Sequence, residues 1–172
     1  MKNYKKIIFV GKRATCREPM AMALLQREDL RNTIEVEARG LVVLFPEPMN
    51  PRAEEMLARD GIHLPGYQAN QLTPEDFSED TLILTFHRNL IEKVMEMEGA
   101  NNVYVLTEVT GDELEIIDPY GGDMIRYEIC METLNKTIHK LAECLNDMEQ
   151  TEPVCSAGSA ARHAESEDRL PE

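Results

Sequence analysis

Positive charge is scarce in this sequence: 18 lysines and arginines stand against 32 aspartates and glutamates, a formal charge of −14 over 172 residues. Such a surface repels a polyanion, which argues against nucleic acid as a partner and opposes docking on anionic lipid. Long apolar runs are also missing. No stretch approaches the roughly 20 residues that a membrane helix needs. The run Ile7-Ile8-Phe9-Val10 is too short for a signal-peptide core and meets Lys12 and Arg13 at its end. The expected location is therefore the cytoplasm. Cysteine occurs at positions 16, 130, 144 and 155, with no Cys-x-x-Cys pair and no His/Cys cluster at zinc spacing. His63, His87, His139 and His163 are scattered and suggest neither a triad nor a metal set. No cofactor or metal is expected. Cys130 and Cys144 fall in a helical apolar pattern, where a buried free thiol is the plain reading.

What is present describes one soluble domain, since an apolar share of 42% and a charged share of 29% suit a globular chain of this length. Residues 4–10 read as a strand ending in a buried run, followed by a polar loop and an apolar helix to about residue 31 with Pro19 in its first turn. A second strand is expected over 34–44. Asn50-Pro51 is a cap followed by a first-turn proline, opening a helix to the Asp60-Gly61 stop. Thr73-Pro74 signals a short helix, 81–86 a strand, 88–98 a helix, 103–106 a strand and 124–147 a long final helix. Residues 148–172, rich in Ser, Ala, Glu and Pro, read as a disordered acidic tail to the domain at 1–147. Alternating strands and helices imply an α/β fold of three layers, a four-stranded parallel sheet flanked by helices on both faces. Ligands bind beyond the carboxyl ends of such strands, which points to the loops at 11–17 and 107–122.

Phe9 to Pro19 reads Phe-Val-Gly-Lys-Arg-Ala-Thr-Cys-Arg-Glu-Pro, and Ala38-Arg39-Gly40, Asn50-Pro51-Arg52-Ala53, Gln71 to Phe77 and Ile116 to Asp123 follow in order. This ordered set resembles the low-molecular-weight protein tyrosine phosphatases, whose first strand runs into Val-Cys-x-Gly-Asn-x-Cys-Arg-Ser-Pro. The resemblance covers about residues 5–147. It implies a phosphate loop over Lys12, Arg13, Ala14, Thr15, Cys16, Arg17 and Glu18, with Tyr120 beside it. In the family a cysteine thiolate attacks phosphorus, an arginine six positions later grips the phosphoryl oxygens, and an Asp-Pro aspartate protonates the leaving group. The arginine matches Arg17 and the acid matches Asp118. The nucleophile position is Gly11, which has no side chain to attack with. Further departures accompany it: Arg13 for the loop glycine, Ala14 for the asparagine, Glu18 for the serine after the arginine, Ala38 for another serine and Tyr67 for a histidine.

The resemblance with these departures implies a pseudophosphatase acting as a regulatory binding module on a protein partner. Removing a covalent nucleophile elsewhere costs about a million-fold in turnover. Cys16 directly precedes Arg17 and so lacks the arc that wraps a phosphate between thiolate and guanidinium. The alternatives are an active tyrosine phosphatase or arsenate reductase, or a small-anion sensor that still binds phosphate or phosphotyrosine weakly. Against anion binding stands Glu18, whose repulsion in a shielded site is on the order of several kcal/mol; an arginine paired with Glu18 or Asp118 would fill the pocket. The apolar run Leu41-Val42-Val43-Leu44-Phe45 is read as the edge of a core strand rather than as an exposed interaction patch.

Overall fold

A computed structural model of the chain describes residues 3–147. The elements run β1 (Lys6–Gly11), α1 (Arg17–Gln26), β2 (Glu35–Gly40), α2 (Pro51–Arg59), a 3-10 turn at Pro74–Asp76, β3 (Thr81–Thr85), α3 (Arg88–Met95), β4 (Val103–Val105), α4 (Leu106–Thr110) and α5 (Met124–Asp147). The four strands form one parallel sheet in the order β2-β1-β3-β4. This is the expected α/β architecture.

β1 is buried on both faces, and its alternation divides the core. Ile7 and Phe9 join Leu82, Leu84 and the inner sides of α1, α2 and α5. Ile8 and Val10 join Ile83, Leu72 and Val94 of α3 on the opposite face. Because α1 and α3 leave β1 and β3 toward opposite faces, the crevice of the sheet opens between the carboxyl ends of these two neighbouring strands. α1 is buried along Arg17 to Leu25, and its Met, Ala and Leu residues are good helix formers that satisfy a core on every side. α2 starts as its sequence dictates: the Asn50 side chain accepts from the Arg52 N–H at 3.0 Å, with Pro51 in the first turn.

Several boundaries differ from the sequence reading. β2 stops at Gly40 rather than residue 44. The apolar run after it is not a core strand edge: Val42, Leu44 and Phe45 are 54%, 88% and 65% exposed. The chain leaves the sheet there because Leu41 and Val42 donate their N–H groups to the carbonyls of Gly11 and Lys12, following the loop instead of a strand. α1 ends at Gln26, five residues before the expected stop, and α3 ends at Met95. β4 gives way at Leu106 to the unexpected short helix α4, ended by Gly111 at φ 75°. The expected tail at 148–172 lies outside the described residues.

Candidate functional site

The loop from Gly11 to Cys16 turns its carbonyls outward. The Gly11 and Lys12 carbonyls accept from Leu41 and Val42, Thr15 accepts from the Asn50 N–H at 2.9 Å, and the Tyr67 hydroxyl donates to the Ala14 carbonyl at 2.6 Å. These contacts engage loop carbonyls and no loop N–H group. Ala14 sits at φ 58°, in the left-handed region that a Cβ disfavours by roughly 1–2 kcal/mol. Tyr67, at the family's histidine position, is therefore a clamp on a strained peptide, and burial of this ring pushes its hydroxyl up from its ordinary value. Gly40 admits the close approach on the other side: a Cβ there would come within 2.9 Å of the Arg13 carbonyl carbon and 2.5 Å of Val43 Cγ2.

Arg17, the first residue of α1, is only 4% exposed. One terminal nitrogen, Nη1, donates to the Ile116 carbonyl at 2.7 Å and meets His87 Nε2 at 2.8 Å. Arginine has no acceptor, so Nε2 accepts and the ring proton sits on Nδ1, which donates to Glu115 at 2.9 Å. The other terminal nitrogen, Nη2, lies 3.6 Å from Asp118 Oδ2, and the guanidinium stands 4.9 Å from the centre of the Phe86 ring. The Arg17 Nε is buried with no hydrogen-bond partner. Asp118 is half-exposed, and its Oδ1 accepts from the Tyr120 N–H at 3.0 Å, an Asx turn ahead of Pro119. Arg13 reaches outward, donating to the Tyr120 hydroxyl at 2.9 Å with its guanidinium 5.0 Å from that ring's centre.

Glu18 completes the interior. It is 4% exposed, and its carboxyl is pushed up chiefly by burial. The Arg17 charge and the backbone N–H groups of Glu18 and Cys16 oppose that rise. Its position explains Gly11. A Cβ on Gly11 would fall inside the contact radius of Glu18 Oε1 and Cδ, and within 2.9 Å of Cγ. The space at the end of β1 where a residue-11 side chain would begin is filled by the carboxylate of residue 18.

Cys16 is buried, its sulfur 3.6 Å from the Tyr127 hydroxyl. Burial raises its thiol pKa above the ordinary value, which disfavours a thiolate. Cys130 is likewise buried and pushed up to about 12, while Cys144 is half-buried. Among the described residues no group of His, Cys, Asp and Glu has the makings of a metal site, and no helix is long and apolar enough to cross a membrane.

The structure thus brings Gly11, Ala14, Cys16, Arg17 and Glu18 together, joins Asp118 to them through Arg17, and places Arg13 with Tyr120 at the rim. Of the expected ion pairs, Arg17–Asp118 forms, whereas Arg13 takes the Tyr120 hydroxyl instead. Sequence reasoning missed Phe86, His87, Glu115 and the Ile116 carbonyl. Their signal was topological: Phe86-His87 follows β3, which neighbours β1 across the crevice.

Comparison with known proteins agrees with this geometry. Residues 6–151 match the family described as low molecular weight phosphotyrosine protein phosphatase. The chain is 29% identical to a protein-arginine-phosphatase of Geobacillus stearothermophilus over 143 residues, 81% of this chain and 95% of that one. It is 30% identical to the low molecular weight protein-tyrosine-phosphatase PtpB of Staphylococcus haemolyticus, over 79% of this chain and 96% of the relative. The solved structure of the YwlE arginine phosphatase from Geobacillus stearothermophilus superposes with a TM-score of 0.76 at 28% identity, covering 87% of this chain and 99% of its own. A crevice between β1 and β3, a phosphate-type loop leading into a buried arginine, and a matching family over nearly the whole described chain have one explanation: this chain belongs to the low molecular weight phosphotyrosine protein phosphatase family.

Proposed function

We propose that this protein is a non-hydrolytic member of its family, a pseudophosphatase that works by binding a protein partner. One observation carries the reading. Gly11, six residues before Arg17, offers no nucleophile, and the Glu18 carboxylate lies where such a side chain would begin. Hydrolysis in the family proceeds through a thiolate, and phosphate monoester hydrolysis without catalysis is so slow that enzymes supply up to roughly 10²¹-fold. Cys16 does not replace the missing group: it directly precedes Arg17, and it is buried, where desolvation disfavours a thiolate. Arg17, the residue that would grip a phosphoryl group, is engaged with Ile116, His87 and Asp118. Both relatives above are phosphatases named for arginine and tyrosine in proteins, which supports a protein rather than a metabolite as the partner.

The purified protein should hydrolyse an aryl phosphate no faster than buffer, beside its Arg17→Ala variant as control. Turnover by the wild type that Arg17→Ala abolishes would mean a nucleophile other than residue 11, and the reading would fall. A pull-down from the source cell that captures no specific protein would remove the binding half of it.

A further inference from the structure

We propose that the Glu18 carboxylate is the resident anion of this loop, seated at the N-terminus of α1 so that it excludes external phosphate-type oxyanions until it is displaced. This deepens the reading of a site without a nucleophile and rests on it.

Three observations converge. The first is the seat itself. The N-terminus of a ten-residue helix presents unsatisfied N–H groups and the positive end of its dipole, the arrangement that holds oxyanions in many proteins. Here Cys16, the residue before the helix, makes no side-chain cap. Glu18, in the first turn of the helix, puts its carboxylate at the end of β1 and supplies the negative group instead.

The second is shape. Glu18 reaches the end of β1 because Gly11 has no Cβ; any larger residue there collides with Oε1 and Cδ. The carboxylate is therefore inside the loop rather than at its mouth, and it is buried. An oxyanion entering from solvent would meet a like charge at the floor of the loop.

The third is what remains unmet. Arg17 is the cation of the site, yet its Nε is buried without a partner while Nη1 and Nη2 are turned to Ile116, His87 and Asp118. A tetrahedral oxyanion carries more acceptor oxygens than a carboxylate, enough to take the loop N–H groups and Nε together. The ligand class is thus a phosphate or sulfate group, free or on a protein side chain. Its binding is coupled to expulsion of Glu18.

The full-length protein tests this with inorganic phosphate as probe, read by broadening of its phosphorus resonance and by the shift of the melting temperature. Two variants open the seat by independent routes. Glu18→Ser removes the carboxylate. Gly11→Ala leaves residue 18 intact but places a methyl group on Oε1, forcing the carboxylate out. The wild type should broaden the phosphate signal little, and either folded variant should bind phosphate roughly tenfold more tightly. The proposal is overturned if the wild type binds phosphate as well as the variants do, or if the folded variants bind none. It is also overturned if neither variant folds, since Glu18 would then belong to the fold and not be a displaceable group. Phosphate binding by the wild type without aryl phosphate turnover would sink this proposal alone, whereas turnover would sink the non-hydrolytic reading.

Discussion

Glu18 carries two costs that act on stability in ways that are separable by experiment. Its carboxyl is pushed above the ordinary value of 4.5 by burial. A group that holds its proton more tightly when folded makes the folded state gain stability as pH falls through the raised value toward the unfolded one. Glu18→Gln, which keeps the volume and removes the charge, should therefore exceed the wild type in stability near neutral pH, by on the order of 1 kcal/mol or more. That gap should close on acidification. Urea titrations of the two proteins across pH test it, and a gap that widens with acid would contradict it. The second cost is steric. Gly11→Cys alone should be destabilised by overpacking, on the order of 1–3 kcal/mol, and Glu18→Ser in the same molecule should recover much of that loss. A double-mutant cycle over these positions should show strong coupling, and simple additivity would mean that the two side chains do not share one space. Tyr67→Phe strips the Ala14 carbonyl of its donor beside a left-handed residue. A loss of about 1 kcal/mol is expected, measured by the same titration.

At the scale of elements, the sequence was most readable where chemistry is local. Asn50-Pro51 announced α2 with the bounds observed, and the apolar stripe from Tyr127 onward announced α5 with its observed start at Met124. Replacing Asn50 by alanine leaves the Arg52 N–H without its acceptor and should cost about 1 kcal/mol, a fall of roughly 2–4 °C in melting temperature for a chain of this size. An unchanged melting curve would show that Pro51 alone sets the start. Local rules failed where a tertiary contact decided. Val42, Leu44 and Phe45 have strand-forming side chains, but the hydrogen bonds of Leu41 and Val42 to Gly11 and Lys12 draw this segment over the loop and leave the apolar groups in solvent. The site divides in the same way. Gly11, Arg17 and Asp118 were named by the resemblance to the family, whose motifs align with this sequence residue by residue. His87 and Glu115 come from segments distant in sequence: the pairing of β3 with β1 brings His87 to Arg17, and Glu115 joins the site through His87.

For the molecule as a whole, the formal charge of −14 means that compaction works against self-repulsion. Added salt screens repulsion between exposed charges on a length of about 8–10 Å near physiological ionic strength. Melting temperature should accordingly rise as sodium chloride is raised from low to moderate concentration, checked by calorimetry; a steady fall would mean that ion pairs such as Arg59–Glu128 outweigh the surplus of acid. The shared space of residues 11 and 18 also bears on descent. A lineage with any larger side chain at position 11 has no room for Glu18 in this seat, so glycine had to arrive before, or together with, the glutamate's inward turn. Afterwards the order is locked. A return to cysteine at position 11 meets an occupied volume, and a return to serine at position 18 regains no nucleophile. The way back is therefore ordered: position 18 must be cleared before position 11 can take a side chain again.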